Sequence, residues 1–326
     1  MWALKNRSPH GVGRNWVRDE HGVHHWLVAL KATFEIGAGG TLTLADEQPE
    51  PALEPEYRGE PGKSSLVQDG ELNGMKPTTE VLVRGMAHAP GGRAAESVRV
   101  SVRCGPVQKS IMAYGPRVYF EGVTGVRTTE PAPFVTTPVM YEHAFGGWND
   151  DDDDPAKQRL DERNPVGRGF GRSAKDLANT SAHTLESEGD GPAGFGPIDP
   201  SWLPRRGFAG TYDAAWVEKK KPLLPDDFDP RFHMSAPLDQ HAPTYLRGGE
   251  PVGVLNMTPE GRVAFPLPTL DVRMTSVFGR RRVNHAGELT TVSLDLEART
   301  LQLLFQSSTK VAAADVDRLD FTEVIA

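Results

Sequence analysis

The chain has 326 residues, enough for one large domain or two ordinary ones with a sizeable core. Its 36 Lys and Arg against 44 Asp and Glu give a formal charge of -8, with basic runs only at residues 219–221 and 280–282, which argues against a nucleic-acid partner. A single cysteine, Cys104, excludes an internal disulfide and a cysteine-based zinc cluster; the polar start and the lack of any membrane-length apolar run predict a cytoplasmic chain with no membrane partner.

In chain order, the first predicted strand is HWLVALKATFEI (25–36), closed by the turn GAGG (37–40). TEVLVRGMA (79–87) follows. In SVRVSVRC (97–104), Val98, Val100, Val102 and Cys104 share one face and Arg99, Ser101 and Arg103 the other, the signature of a strand buried on one side. Gly105 and Pro106 then turn the chain into VQKSIMAY (107–114) as a hairpin. Residues 1–135 therefore read as an N-terminal antiparallel β region. Residues 136–245 lose this pattern and form a loop-rich region of Gly, Pro, Asp and aromatics packed on the sheets; only TYDAAWVEKKK (211–221) reads as a helix, capped by Thr211 or Asp213. Strands return in a C-terminal β-meander, 246–326, at VGVLNM, RVAFPL, TLDVRMTSVF, LTTVSLDLE and TLQLLFQS, the last two joined by a turn at residues 297–299. No helices alternate with the strands, so a doubly wound parallel sheet is excluded. The expected class is mainly β: an antiparallel β-sandwich with long ordered loops and one or two short helices, built as one large domain or two intimately packed ones.

Candidate chemistry is sparse. YRGEPGKSSL (57–66) ends in the GKS of a phosphate loop, yet Tyr57 stands where the first glycine belongs, Glu60 is negative, Pro61 has no N–H, and no helix pattern follows. A polar loop tied by Lys63 and its serines is the expectation. Asp150, Asp152 and Asp154 alternate like calcium ligands, but Pro155 replaces the required glycine and Asp161 the bidentate glutamate, so a solvated acidic tip is expected at 150–154. His21, His24 and His25 lack ligand spacing, and a strand sends the last two to opposite faces. Cys104 belongs to a buried face and reads as an inert small hydrophobe. Ser307 and Lys310 form an SxxK without its companion elements. Asp226, Asp227 and Asp229 in LPDDFDPRF have the types of a glycosidase acid and base, but their proline-flanked spacing suits turn capping. NPVGRGFGR has no strand before it or helix after it, a poor dinucleotide motif. These readings predict no catalytic residue, no metal and no cofactor.

Nine strings in order, MWALKNRSP, WLVALKATFEI, EPGKSSL, YEHAFGG, NPVGRGF, PAGFGPI, GTYDAAW, LLPDDFDPRF and YLRGGEPV, resemble the domain-of-unknown-function 2169 family found beside bacterial type VI secretion genes. The resemblance runs from Met1 to about Leu304. It implies a non-enzymatic adaptor or chaperone that helps load a toxic effector onto the secretion spike of VgrG and its PAAR-type tip, and it brings no established functional residues. The rings Tyr141, Phe145, Trp148, Trp202, Tyr212, Trp216, Phe228 and Phe232 are the expected partner-binding face; equally, such rings can close the core. The rival readings are a carbohydrate-acting enzyme or lectin-like module using the acids and aromatics of residues 137–245, and a structural subunit of the secretion apparatus.

Overall fold

The structure is a computed structural model that describes residues 1–123, 125–149, 153–154, 156–189 and 193–326. The alternation of SVRVSVRC becomes a strand, Ser97–Cys104, whose buried side chains are Val98, Val100, Val102 and Cys104. Its hairpin partner Val107–Tyr114 pairs along its whole length, from Val107 opposite Cys104 to Tyr114 opposite Ser97. Gly105 takes φ 55° at the turn, a conformation that glycine adopts without a Cβ penalty. This hairpin is the middle of a five-stranded sheet, ordered Leu185–Ser187, Val107–Tyr114, Ser97–Cys104, Pro251–Leu255, Arg262–Pro266.

A second sheet runs Gly11–Arg18, His24–Ile36, Thr300–Val311, Glu288–Asp295, Glu80–Arg84, with Leu42–Leu44 also paired to His24–Ile36. A four-stranded sheet runs Ala3–Asn6, Leu319–Ile325, Arg273–Phe278, Arg281–Ala286. Val28, Leu30 and Leu303 from the second sheet, Val100 and Ile111 from the first, and Met274 and Val324 from the third join one apolar cluster. The core is thus shared by strands from both ends of the chain and from its middle, and the architecture is mainly β, as expected.

Two long-range pairings are parallel rather than antiparallel: Ala3–Asn6 with Leu319–Ile325, and Glu80–Arg84 with Glu288–Asp295. Parallel neighbours require a long crossover, and here nearly the whole chain supplies the first and residues 85–287 the second. Among the strands that carry no sequence signal strong enough to be predicted are Ala3–Asn6, Gly11–Arg18, Leu185–Ser187, Arg281–Ala286 and Leu319–Ile325. In Gly11–Arg18 the side chains are half-buried without a two-residue period, so the signal that revealed Ser97–Cys104 is missing.

The two α-helices are short. Ala214–Lys219 lies inside the predicted helical stretch, and its cap is Asp213, which accepts from the Trp216 N–H at 2.8 Å. Ala174–Leu177, which the sequence reading missed, starts with a capping box between Ser173 and Asp176. Among the described residues no helix is long and apolar enough to cross a membrane.

Candidate functional site

Eight consecutive residues of the central strand, Trp26 to Thr33, are buried. A strand wholly buried in this way must be covered on both faces. One face carries Val28 and Leu30 into the common core; the other carries Leu27 and Ala29, which pack with Leu304 beneath Leu72. The segment around Leu72 is therefore a cover on the outer face of the six-stranded sheet, and buried charges fasten it.

Lys31 Nζ donates to Glu71 Oε2 at 2.6 Å. Lys76 Nζ donates to Glu80 Oε1 at 2.5 Å and to Thr291 Oγ1 at 2.7 Å. The other Glu80 oxygen accepts from the backbone N–H groups of Ser235 and Ala236, at 2.7 and 2.8 Å. Burial alone would disfavour the Glu80 carboxylate, but the Lys76 ammonium and these N–H donors hold its pKa below the usual value. A third pair joins Asp69 to Arg205 at 2.5 Å, and the Arg205 guanidinium also donates to the carbonyls of Ile198 and Phe232. Beside it, burial followed by the charges of Arg205 and Lys76 pushes the His233 imidazole down to about 4.

The GKS loop is part of this cover. Lys63 pairs with Glu60 at the surface, Ser64 closes the loop on Gly59 and Glu60, and Ser65 donates through its N–H and hydroxyl to Glu142 at 2.8 Å. Tyr57 donates to Asp199 at 2.7 Å; burial and that carboxylate push its phenol up to about 12. Four of the strings that carry the resemblance, those containing Ser65, Glu142, Phe232 and Ile198, thus meet around one place. Between cover and sheet lies a cavity of about 290 Å³, with Lys76, Tyr141, Ser235, Ser293, Thr300 and Gln302 among its walls. Sequence reasoning missed it, because its floor residues read as the solvent side of ordinary strands.

The eight rings predicted as one contact face are divided by the fold. Tyr141 and Trp202 are buried, stacked edge-to-face at 5.5 Å with Ile198, so they present no surface to a partner. Phe145 is 50% exposed, Trp148 42% and Tyr212 52%. Trp216, Phe228 and Phe232 are half-buried: Trp216 packs on Tyr212 and donates to the Leu223 carbonyl, while Phe228 and Phe232 pack on each other and on His233. Phe145 contacts Phe170 and His183, and Trp148 pairs across a short bridge with Leu160, itself 40% exposed.

Other candidates resolve into local structure. Asp229 caps the turn at Arg231, as turn chemistry predicts; Asp227 accepts from the N–H and hydroxyl of the distant Thr211, and Asp226 forms an ion pair with Lys220 instead of capping. His25 lies between Ser308 and Asp19, whereas His24 packs on Trp16. Cys104 is buried, and burial followed by the charge of Glu250 pushes its thiol up to about 12. Of the acidic run, Asp150, Asp151, Asp152 and Pro155 lie outside the described residues; Asp154 accepts from the Ala156 N–H and pairs with Lys157. Among the described residues no group of three or more His, Cys, Asp or Glu is placed to hold a metal ion.

Fold and site together define a β protein built on three larger sheets, one of which has its outer face roofed by an ion-paired loop cover. The chain belongs to the family described as "Uncharacterized protein conserved in bacteria (DUF2169)", which matches residues 21–306. Comparison with curated proteins and with solved structures gives no match.

Proposed function

We propose that the protein is a non-enzymatic adaptor or chaperone that helps load a toxic effector onto the type VI secretion spike, through contact with the effector or with a PAAR-type or VgrG component. The observation that carries this reading is the exposure of Phe145, Trp148 and Leu160, in a stretch of sequence that also holds the acidic run at 150–154. Aromatic anchors beside a block of like charge suit a protein partner with apolar and basic surface. The buried charges support the same reading from the other side. Lys31, Glu71, Lys76, Glu80, Asp69 and Arg205 are spent on one another, holding the cover in place.

The test is genetic and biochemical together. Deleting the gene is expected to stop export of the neighbouring effector while the secretion sheath still fires, and the purified protein is expected to retain that effector or the PAAR-type protein in a pull-down. Unchanged effector export in the deletion strain would overturn the proposal.

A further inference from the structure

The floor of the cavity is a ladder of strand-paired side chains whose first row is uncharged. Strand register sets Leu82 opposite Ser293, Ser293 opposite Gln302, and Gln302 opposite Thr33; the next row is Arg84, Asp295, Thr300 and Glu35. Paired residues of adjacent strands share a face, so these rows lie side by side at the strand spacing of about 4.8 Å. The cavity walls include Leu82, Ser293, Thr300 and Gln302, and a second hollow lined by Thr33, Glu35, Asp46 and Glu47 shares Thr300 and Gln302 with it. The two form one groove across the outer face of the sheet.

Hydrogen-bonding capacity in this groove is unused. The side chains of Ser293, Thr300 and Gln302 bond to no other described residue. The hydroxyls of Ser235, in the wall of the cavity, and of Thr33, in the second hollow, are buried without a partner. Buried polar groups are nearly always satisfied, so two in one groove point to a ligand that supplies donors and acceptors. At the first cavity Arg84 is paired with Asp295 and Lys76 with Glu80, while Arg58 in its wall stands in no ion pair with a described residue. At the far end Glu35, Asp46 and Glu47 are exposed and stand in no ion pair with a described residue.

We infer that this groove binds an extended peptide whose uncharged middle lies over Ser293, Thr300 and Gln302 and whose Lys or Arg meets Glu35, Asp46 and Glu47. Amide and hydroxyl side chains match the alternating donors and acceptors of an extended backbone, and the apolar walls at Leu82 and Met140 take its side chains. A sugar is the poorer fit. The rings at the cavity, Tyr141 and Phe195, are buried and show no open face for a sugar to stack on, and the carboxylates there are already paired. The site is distinct from the Phe145 and Trp148 surface and stands whether or not the protein serves secretion.

The experiment is selection of random decapeptides by phage display on the intact protein, with affinities of synthetic copies measured by calorimetry. Enriched peptides are expected to carry a Lys or Arg next to small uncharged residues. Gln302→Trp, which fills the groove, is expected to weaken them at least tenfold at unchanged melting temperature; Glu35→Lys, at an exposed position, gives the same weakening through charge and serves should the first variant fold poorly. No enrichment, equal binding to Glu35→Lys, or displacement of the peptides by cellotriose would overturn the inference.

Discussion

Among single residues, the pair Lys76 and Glu80 has the most at stake. Both are buried, and Glu80 also accepts two backbone N–H groups that fix residues 235 and 236. Removing the carboxylate strands a buried ammonium, so Glu80→Ala should cost about 3–5 kcal/mol in chemical denaturation. The exposed pair Lys63 and Glu60 is the control: Glu60→Ala should leave the midpoint nearly unmoved. Of the imidazoles whose pKa is lowered, two are pushed furthest. Burial, with the charges of Arg205 and Lys76, pushes His233 down to about 4, and burial pushes His285, between the hydroxyls of Ser276 and Ser307, to about 4 as well. Below pH 6.5 the unfolded chain takes up a proton that the folded chain refuses until about pH 4, so stability falls across that window by roughly 3 kcal/mol per imidazole. Urea titrations at pH 7, 5.5 and 4.5 should show the loss, and His285→Gln should reduce it. An unchanged midpoint across those three values would contradict the argument. The contribution of Glu80 has the same sense in a lower window: its lowered pKa stabilises the fold above the usual carboxylate range, and that support is lost as the pH falls below it.

At the scale of elements, the helix Ala214–Lys219 is too short to stand alone, and it depends on Asp213 at its start and on Trp216 packed against Tyr212. Asp213→Ala should cost about 1 kcal/mol, and Asp213→Asn, which keeps the accepting oxygen, should restore most of it. Legibility follows the same physics. Ser97–Cys104 and Val107–Tyr114 were readable to the residue because each is buried on one face, which writes a two-residue period into the sequence. Gly11–Arg18 was not, since its side chains are half-buried on both faces. Leu319–Ile325 finds one partner at residues 3–6, and no local pattern reports a contact between the two ends of a chain. The cover and its groove were equally hidden. Lys31 and Glu71 look like surface charges until the strand beneath them is known to be buried on both faces, and Ser293 with Gln302 look like an ordinary solvent side. The turn role of Asp229, by contrast, was legible because it caps a residue two positions on beside a flanking proline, whereas the tie of Asp227 to Thr211, sixteen residues away, was not.

Taken as a whole, the molecule separates rings that hold it together from rings that it displays. Trp202, edge-on to Tyr141, is core, and Trp202→Ala should cost about 3–5 kcal/mol. Trp148 lies on the surface with Leu160, so Trp148→Ala should leave the thermal midpoint close to wild type. If the proposed adaptor role holds, the same surface change should raise the dissociation rate of the effector or PAAR-type partner, because a lost anchor is felt after the complex has formed. The acidic run acts earlier. In a chain of net charge -8, replacing the five Asp of 150–154 by Asn removes much of the field that draws in a basic partner, so the association rate should fall and lose its dependence on salt while the dissociation rate stays nearly constant. Stopped-flow or surface-binding kinetics at two ionic strengths separate these effects. A Trp148→Ala protein that melts normally and releases its partner no faster would move the contact surface away from Phe145 and Trp148.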